Sequence, residues 1–407
     1  MRMPPNRVAV VALVLLGLAG GIGWWVLRPK PGSIEPLPIK ESAARVVRHV
    51  SGEAPAQAPA DASSRGPCGS ALRQAFDLRA NVLLQRQDAP AQLAYAFTAP
   101  IQDLPDPERV GEVAYQREYK RVALERQSRI DAALLRAFAL APEDADVRWL
   151  AAVYCSQDEA CAAPRRALLA AEPDNMAVWL RELAWARRRG DQSGVERAFA
   201  AAAEAQSFET HRGIEQQMVL AAYEDLPLPA ACATPEGRRE LRNLSQRGED
   251  EHVTMLDLAL LRAHSMKVLS EPGLSDLRER CKPEVFPAAG ATVQDRCRKI
   301  LRRLATQGSW RERAIALESL VAATAGEPGA AQWRERMREV LWMQEAGADP
   351  GVQSLLRGED YMLDEMTAMQ EALRAQDHWP PPADWLPADE RARSLILTGR
   401  PPPSPTK

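Results

Sequence analysis

From about position 67 onward, apolar side chains return every three or four residues instead of every second one. That is the spacing of helices with one buried face. Leu72, Ala75, Phe76, Leu78 and Val82 to Leu84 predict a first helix. A second opens at Asp106, an N-cap type, with Pro107 at the first helical position, and its helical composition continues towards Leu140. Further helices are predicted over Asp146–Tyr154, Arg165–Ala171, Asn175–Arg188, Ser193–Gln206 and Thr210–Tyr223. The same spacing then predicts helices over 235–247, 250–268, 291–306, 310–325, 329–344 and 359–376. Aromatic residues are 5% of the chain and no stretch alternates like a strand, so the expected class is all-α. Pro227, Pro229 and Pro235 mark a boundary between a helical domain at 67–226 and a second helical subdomain at 227–378. Residues 379–407 form a proline-rich C-terminal tail with one short helical segment, Leu386 to Leu397.

The N-terminus breaks this pattern. Val8 to Leu27 carries no charge over 20 residues, which as a helix spans about 30 Å, the thickness of a hydrocarbon core. Trp24 and Trp25 stand near its end, where indoles favour the interface. The reading is a signal-anchor at 8–27 with a cytoplasmic tail at 1–7. A cleaved signal peptide is the alternative, although no clean small-residue cleavage site follows. Residues 28–66 are rich in proline, alanine and serine and read as a flexible tether with little to bury. The bilayer is thus one expected partner, through residues 8–27, with the bulk of the chain in the periplasm of a bacterial inner membrane. Abundant arginine and alanine match a GC-rich bacterial genome.

Cysteine usage points the same way. Cys68, Cys155, Cys161, Cys232, Cys281 and Cys297 all follow the apolar segment. An even number in an oxidising compartment implies disulfides, and six cysteines allow 15 pairings. Spacing favours Cys155 with Cys161 and Cys281 with Cys297, leaving Cys68 with Cys232; six buried free thiols in a reduced compartment are the alternative. Without any C-x-x-C pair, neither a zinc ribbon nor a thioredoxin-like site is expected.

An internal similarity lies between about 130 and 206. Two turns, ALAPEDADVRWL and AAEPDNMAVWL, place Pro142 and Pro173 31 residues apart. Val147, Leu150, Ala151 and Tyr154, then Ala163, Ala167 and Ala170, fall at large and small packing positions. Trp179, Leu183 and Phe199 continue the series. The pattern resembles degenerate tetratricopeptide repeats, with a period shorter than theirs and Pro164 inside the second helix. The resemblance implies stacked helical hairpins, an α-solenoid whose hairpins each cover the apolar face of the last. An irregular all-helical domain is the rival arrangement.

Charge and motifs narrow the chemistry. A net charge of −3 gives no field for polyanions, so no nucleic-acid partner is expected. His49, His211, His252, His264 and His378 form no metal-ligand spacing, and no nucleophile elbow, P-loop or dinucleotide fingerprint occurs. No catalytic residue, cofactor or metal is assigned. Arg187, Arg188 and Arg189 suit a helix C-terminus, while Arg296, Arg298, Lys299, Arg302 and Arg303 form a denser basic group, either a solvated helix face or a site for an acidic protein or lipid headgroups. Trp333, Met337, Val340 and Leu341 recur at helical spacing and read as core, and Trp149 and Trp179 as packing between hairpins. The expected function is a scaffold or adaptor binding a protein or peptide in the bacterial envelope. An all-helical enzyme acting on cell-wall polymer and a periplasmic inhibitor or immunity protein are the alternatives.

Overall fold

In the computed structural model, residues 66–402 are described apart from 101, 103, 158, 224, 246–251, 268–272 and 357–363, and apart from the side chains of 263–267 and 287. The expected tail at 1–7, the membrane helix at 8–27, all but the last residue of the tether, His49 and the chain end at 403–407 lie outside the described residues. Within them, 18 α-helices follow one another and no strand is present.

Helix starts are fixed by short acids and amides. α1 (Pro67–Gln85) is followed by α2 (Ala89–Thr98), whose N-cap Asp88 accepts from the Ala91 amide at 2.9 Å. α3 (Pro107–Val110) is a single turn capped by Asp106. Gly111, at φ 79°, separates it from the 29-residue α4 (Glu112–Leu140), so the helix expected from Asp106 to Leu140 is broken there. Asp144 caps α5 (Ala145–Tyr154), which a loop joins to α6 (Ala162–Ala171). Asn175 caps α7 (Met176–Arg188) and Asp191 caps α8 (Gln192–Glu204). Each such cap satisfies amides that the helix itself leaves open.

After α9 (Ile214–Tyr223) come α10 (Pro235–Ser245), α11 (Met255–Lys267) and α12 (Leu274–Cys281). Then follow α13 (Ala291–Gln307), α14 (Trp310–Ala323) and α15 (Ala330–Ala346). The short α16 (Pro350–Leu355), α17 (Glu365–Ala375) and α18 (Glu390–Thr398) end the series. α14 opens with a full capping box between Ser309 and Glu312.

Successive helices pair as hairpins: α5 with α6, α7 with α8, α13 with α14, and α14 with α15. α8 also lies against α13, which carries the stacking into the second half. α9 leaves this order and returns to α2 and α11, while α18 folds back on α14 and α15. One apolar core runs from Ala80 to Ile396. A satellite cluster of Cys68, Leu72, Cys232, Leu241, Val253, Met255 and Leu258 joins α1 to α10 and α11.

α2 is the most deeply placed element. Every residue but Pro90 is buried. Its polar Gln92 is satisfied by the end of α1: the amide donates to the carbonyls of Leu84 and Arg86 at 3.1 and 2.7 Å, and Arg136 donates to its oxygen at 2.8 Å.

The six cysteines stand as three bonded pairs, Cys68–Cys232, Cys155–Cys161 and Cys281–Cys297, with none free. The first spans 164 residues of sequence. Among the described residues no helix is long and apolar enough to cross a membrane. The segment expected to do so, 8–27, is not among them.

Candidate functional site

The turn before α7 reads Glu172-Pro173-Asp174-Asn175, and a later segment is laced onto it. Asn175 donates to Glu172 Oε2 at 2.7 Å and to the Glu209 carbonyl at 2.8 Å, and its oxygen accepts from the Glu209 amide at 3.0 Å. The Met176 amide donates to Ser207 O at 2.8 Å, while the amides of Gln206 and Ser207 both reach Asp174 O. Residues 206–209 are thereby clipped across the start of the second hairpin.

His211 follows, in the left-handed region at φ 47°, with Gly213 at φ 81° two residues on. A non-glycine residue held there marks a position that its surroundings over-determine. Those surroundings are specific. The imidazole stacks on the buried Trp149, with centroids 4.8 Å apart and planes at 25°. Nε2 meets Glu172 Oε1 at 3.1 Å and Nδ1 lies 3.6 Å from Asp146 Oδ1. Burial works against the imidazolium, but the hydrogen bond and charge of Glu172, with Glu209 and Asp146, outweigh it and raise the pKa above the ordinary histidine value. Burial likewise opposes the Glu172 carboxylate, and His211 and Asn175 overcome it to hold that pKa low.

One turn further, Tyr154 Oη donates to the buried Glu215 Oε1 at 2.7 Å. Burial raises the Glu215 pKa against the opposing effects of Tyr154, Arg181 and His211. Arg181 lies within the same group, its own pKa lowered by burial. Arg212 Nη2 donates to Glu312 Oε2 at 2.9 Å and to Gln307 O at 3.1 Å. Glu312 is the acid that closes the capping box of α14. Residues 206–215 therefore tie both hairpins and α14 together through a charged hub. Its groups can hold a proton, pair charge and fix register. Among the described residues no three histidine, cysteine or acidic side chains gather as metal ligands.

The positions read from the repeat pattern fall on both sides of the packing. Val147, Leu150, Ala151, Leu183 and Phe199 are buried. Tyr154 is half-buried, as is Trp179, whose indole N–H donates to Pro173 O at 2.6 Å. On α6, however, Ala163 and Ala170 are exposed and Ala167 is half-buried; Pro164, Arg165 and Leu168 face inward instead. The face is turned because Arg165 packs its guanidinium over the Trp185 ring at 4.0 Å, occupying the space a small residue was expected to leave.

Other candidates also find their places. Met337 and Val340 are buried, with Trp333 and Leu341 packed beside them. His252 is exposed. In the basic group on α13, Lys299 pairs with Glu204 at 2.9 Å and Asp295 at 3.3 Å, and Arg298 and Arg302 both reach Glu327. Arg187, at the end of α7, pairs with Asp276 at 2.7 Å. The hub itself is hidden from sequence reasoning because its members run from Asp146 to Glu312. The local signal is the His211-Arg212-Gly213 step, which interrupts the expected helix at 210–223 so that α9 starts at Ile214.

Compared with known proteins, the chain matches no family model, no curated protein and no solved structure.

Proposed function

We propose that this chain is a membrane-tethered periplasmic interaction module, built of tetratricopeptide-like stacked hairpins and serving as a scaffold or adaptor for a protein or peptide in the bacterial envelope. The observation that carries the reading is the run of antiparallel helix pairs sharing one core, with α8 passing the stack on to α13. Such an array presents a long surface suited to a polypeptide partner. The paired cysteines support an oxidising compartment, and the uncharged segment at 8–27 supplies the anchor.

Crosslinking in intact envelopes followed by affinity capture tests the reading. One dominant envelope protein, lost when the α7–α8 surface is mutated, is the expected result. Binding of purified wall glycan with turnover, and no protein partner, would overturn it. Location is tested separately with a C-terminal reporter active only in one compartment; activity confined to the cytosol would end the export proposal.

A further inference from the structure

The segment that follows α8 is held by contacts of different kinds. Phe208 is buried in the core. Arg212 is tied to Glu312 at 2.9 Å and to the Gln307 carbonyl at 3.1 Å. Between these two anchors Glu209 is exposed, and Thr210 and His211 are half-buried. This stretch is seated by the Asn175 side chain, which exchanges two hydrogen bonds with the Glu209 backbone, and by the His211 ring lying on Trp149.

The ring is placed between two carboxylates. Nε2 is 3.1 Å from Glu172 Oε1 and Nδ1 is 3.6 Å from Asp146 Oδ1. A neutral imidazole has one N–H and one lone pair. Whichever tautomer forms, one ring nitrogen then turns its lone pair towards a carboxylate oxygen. Only the imidazolium suits both sides. The backbone at φ 47° is disfavoured for a residue with a side chain, so His211 keeps it only while its contacts hold. The side chain is 16% exposed, which leaves it able to exchange a proton with solvent.

The charges around the ring come from several elements. α5 brings Asp146 and also Arg148, which acts on Glu172. The turn before α7 brings Glu172, and the segment itself brings Glu209. α9 brings the buried Glu215, which feels both His211 and Arg181 of α7. Arg212 and Glu312 pair with each other. Burial opposes the imidazolium, and the acids outweigh it, so the His211 pKa stands above its ordinary value.

We propose that His211 is a proton-operated latch: doubly protonated, it holds Glu209 to His211 against the turn before α7, and loss of one ring proton to solvent lets that stretch lift between its anchors at Phe208 and Arg212. Opening uncovers one face of Trp149, flanked by Asp146 and Glu172. With the folded pKa above the free one, the latch is fully closed below the free pKa and opens as pH rises through the folded one.

Amide hydrogen exchange of the full-length protein in detergent tests this, resolved residue by residue from about pH 6 to pH 9 and corrected for the intrinsic base-catalysed rate. The opening constant at the Glu209 amide, which donates to Asn175, is expected to rise about tenfold per pH unit between the pKa of free histidine and that of folded His211. The amides of Ser207 and Met176, which belong to the clip on the Phe208 side, are expected to stay protected throughout. His211→Asn tolerates left-handed backbone and carries no proton, so its Glu209 amide is expected to open at a raised level that is flat with pH. If that variant does not fold, Glu172→Gln removes the nearer carboxylate, and the pH-dependent rise is expected to shrink. A Glu209 opening constant that is flat with pH in the unaltered protein would overturn the latch. So would an unchanged pH dependence in either variant, or opening of Ser207 and Met176 in step with Glu209.

Discussion

The two central hairpins have the same plan and different means of holding it. In the second, both helices are packed deeply: α7 buries Leu180, Leu183 and Trp185, and α8 buries Val195, Ala198, Phe199, Ala202 and Ala203. Its turn is made by Gly190 at φ 71° and the Asp191 cap. A Cβ on Gly194 would stand 3.0 Å from that of Ala186, so the two helices approach closely there. In the first hairpin α5 is well buried, but α6 buries only Pro164, Arg165 and Leu168. There the Cys155–Cys161 bond closes the connecting loop. Where apolar contact is thin, a covalent link limits the ways the helix can separate; where it is thick, a glycine turn suffices.

That contrast can be broken from either side. Phe199→Ala removes a fully buried ring from the second hairpin, and a loss of about 3–5 kcal/mol is expected in urea unfolding. Leu168→Ala should cost less than Phe199→Ala, because α6 has fewer buried neighbours to leave a cavity among; an equal or larger loss would contradict the comparison. Replacing both Cys155 and Cys161 with serine releases a short loop, at about 2 kcal/mol. Amide exchange should quicken in α6 far more than in α8, and uniform quickening would show that the bond supports the whole stack. Asp144→Ala and Asp191→Ala remove equivalent caps, each at roughly 1 kcal/mol, so the two hairpins should respond alike.

The smallest effect belongs to His211, which spans the hairpins. Its folded pKa is raised above the unfolded value, so its contribution is fully present below the unfolded pKa. It is lost as pH rises through the folded pKa. The stability difference between the protein and His211→Gln should therefore shrink from pH 6 towards pH 8. A difference that is flat with pH would remove the charge interaction with Glu172 from the account.

Much of the helical order is legible in the residues themselves. The N-cap type at Asp106 and the three- to four-residue spacing of apolar positions place most helices within a few residues of where they stand. The elements that escape this reading do so for physical reasons. α2, APAQLAYAFT, has no polar face because it is buried on nearly every side, so periodicity is silent. α12 covers only Leu274–Cys281 and follows Gly273, where a Cβ would lie 2.4 Å from Leu180 O. That constraint is tertiary and leaves no local pattern. The turned face of α6 depends on Trp185, 20 positions from Arg165. Of the charged hub, His211 is visible as one of five histidines, but its partners are not. Nothing in the order of residues brings Asp146, Glu172 and Glu312 to one loop.

The Cys68–Cys232 bond has a mechanical consequence. It sits one residue inside the start of α1, and its Cα atoms are 4.6 Å apart. Tension drawn along the chain from residue 66 passes at Cys68 into the region of Cys232 as well as into the helix. Load is thus shared between two points far apart in sequence, and α1 cannot be unzipped turn by turn from its leading end.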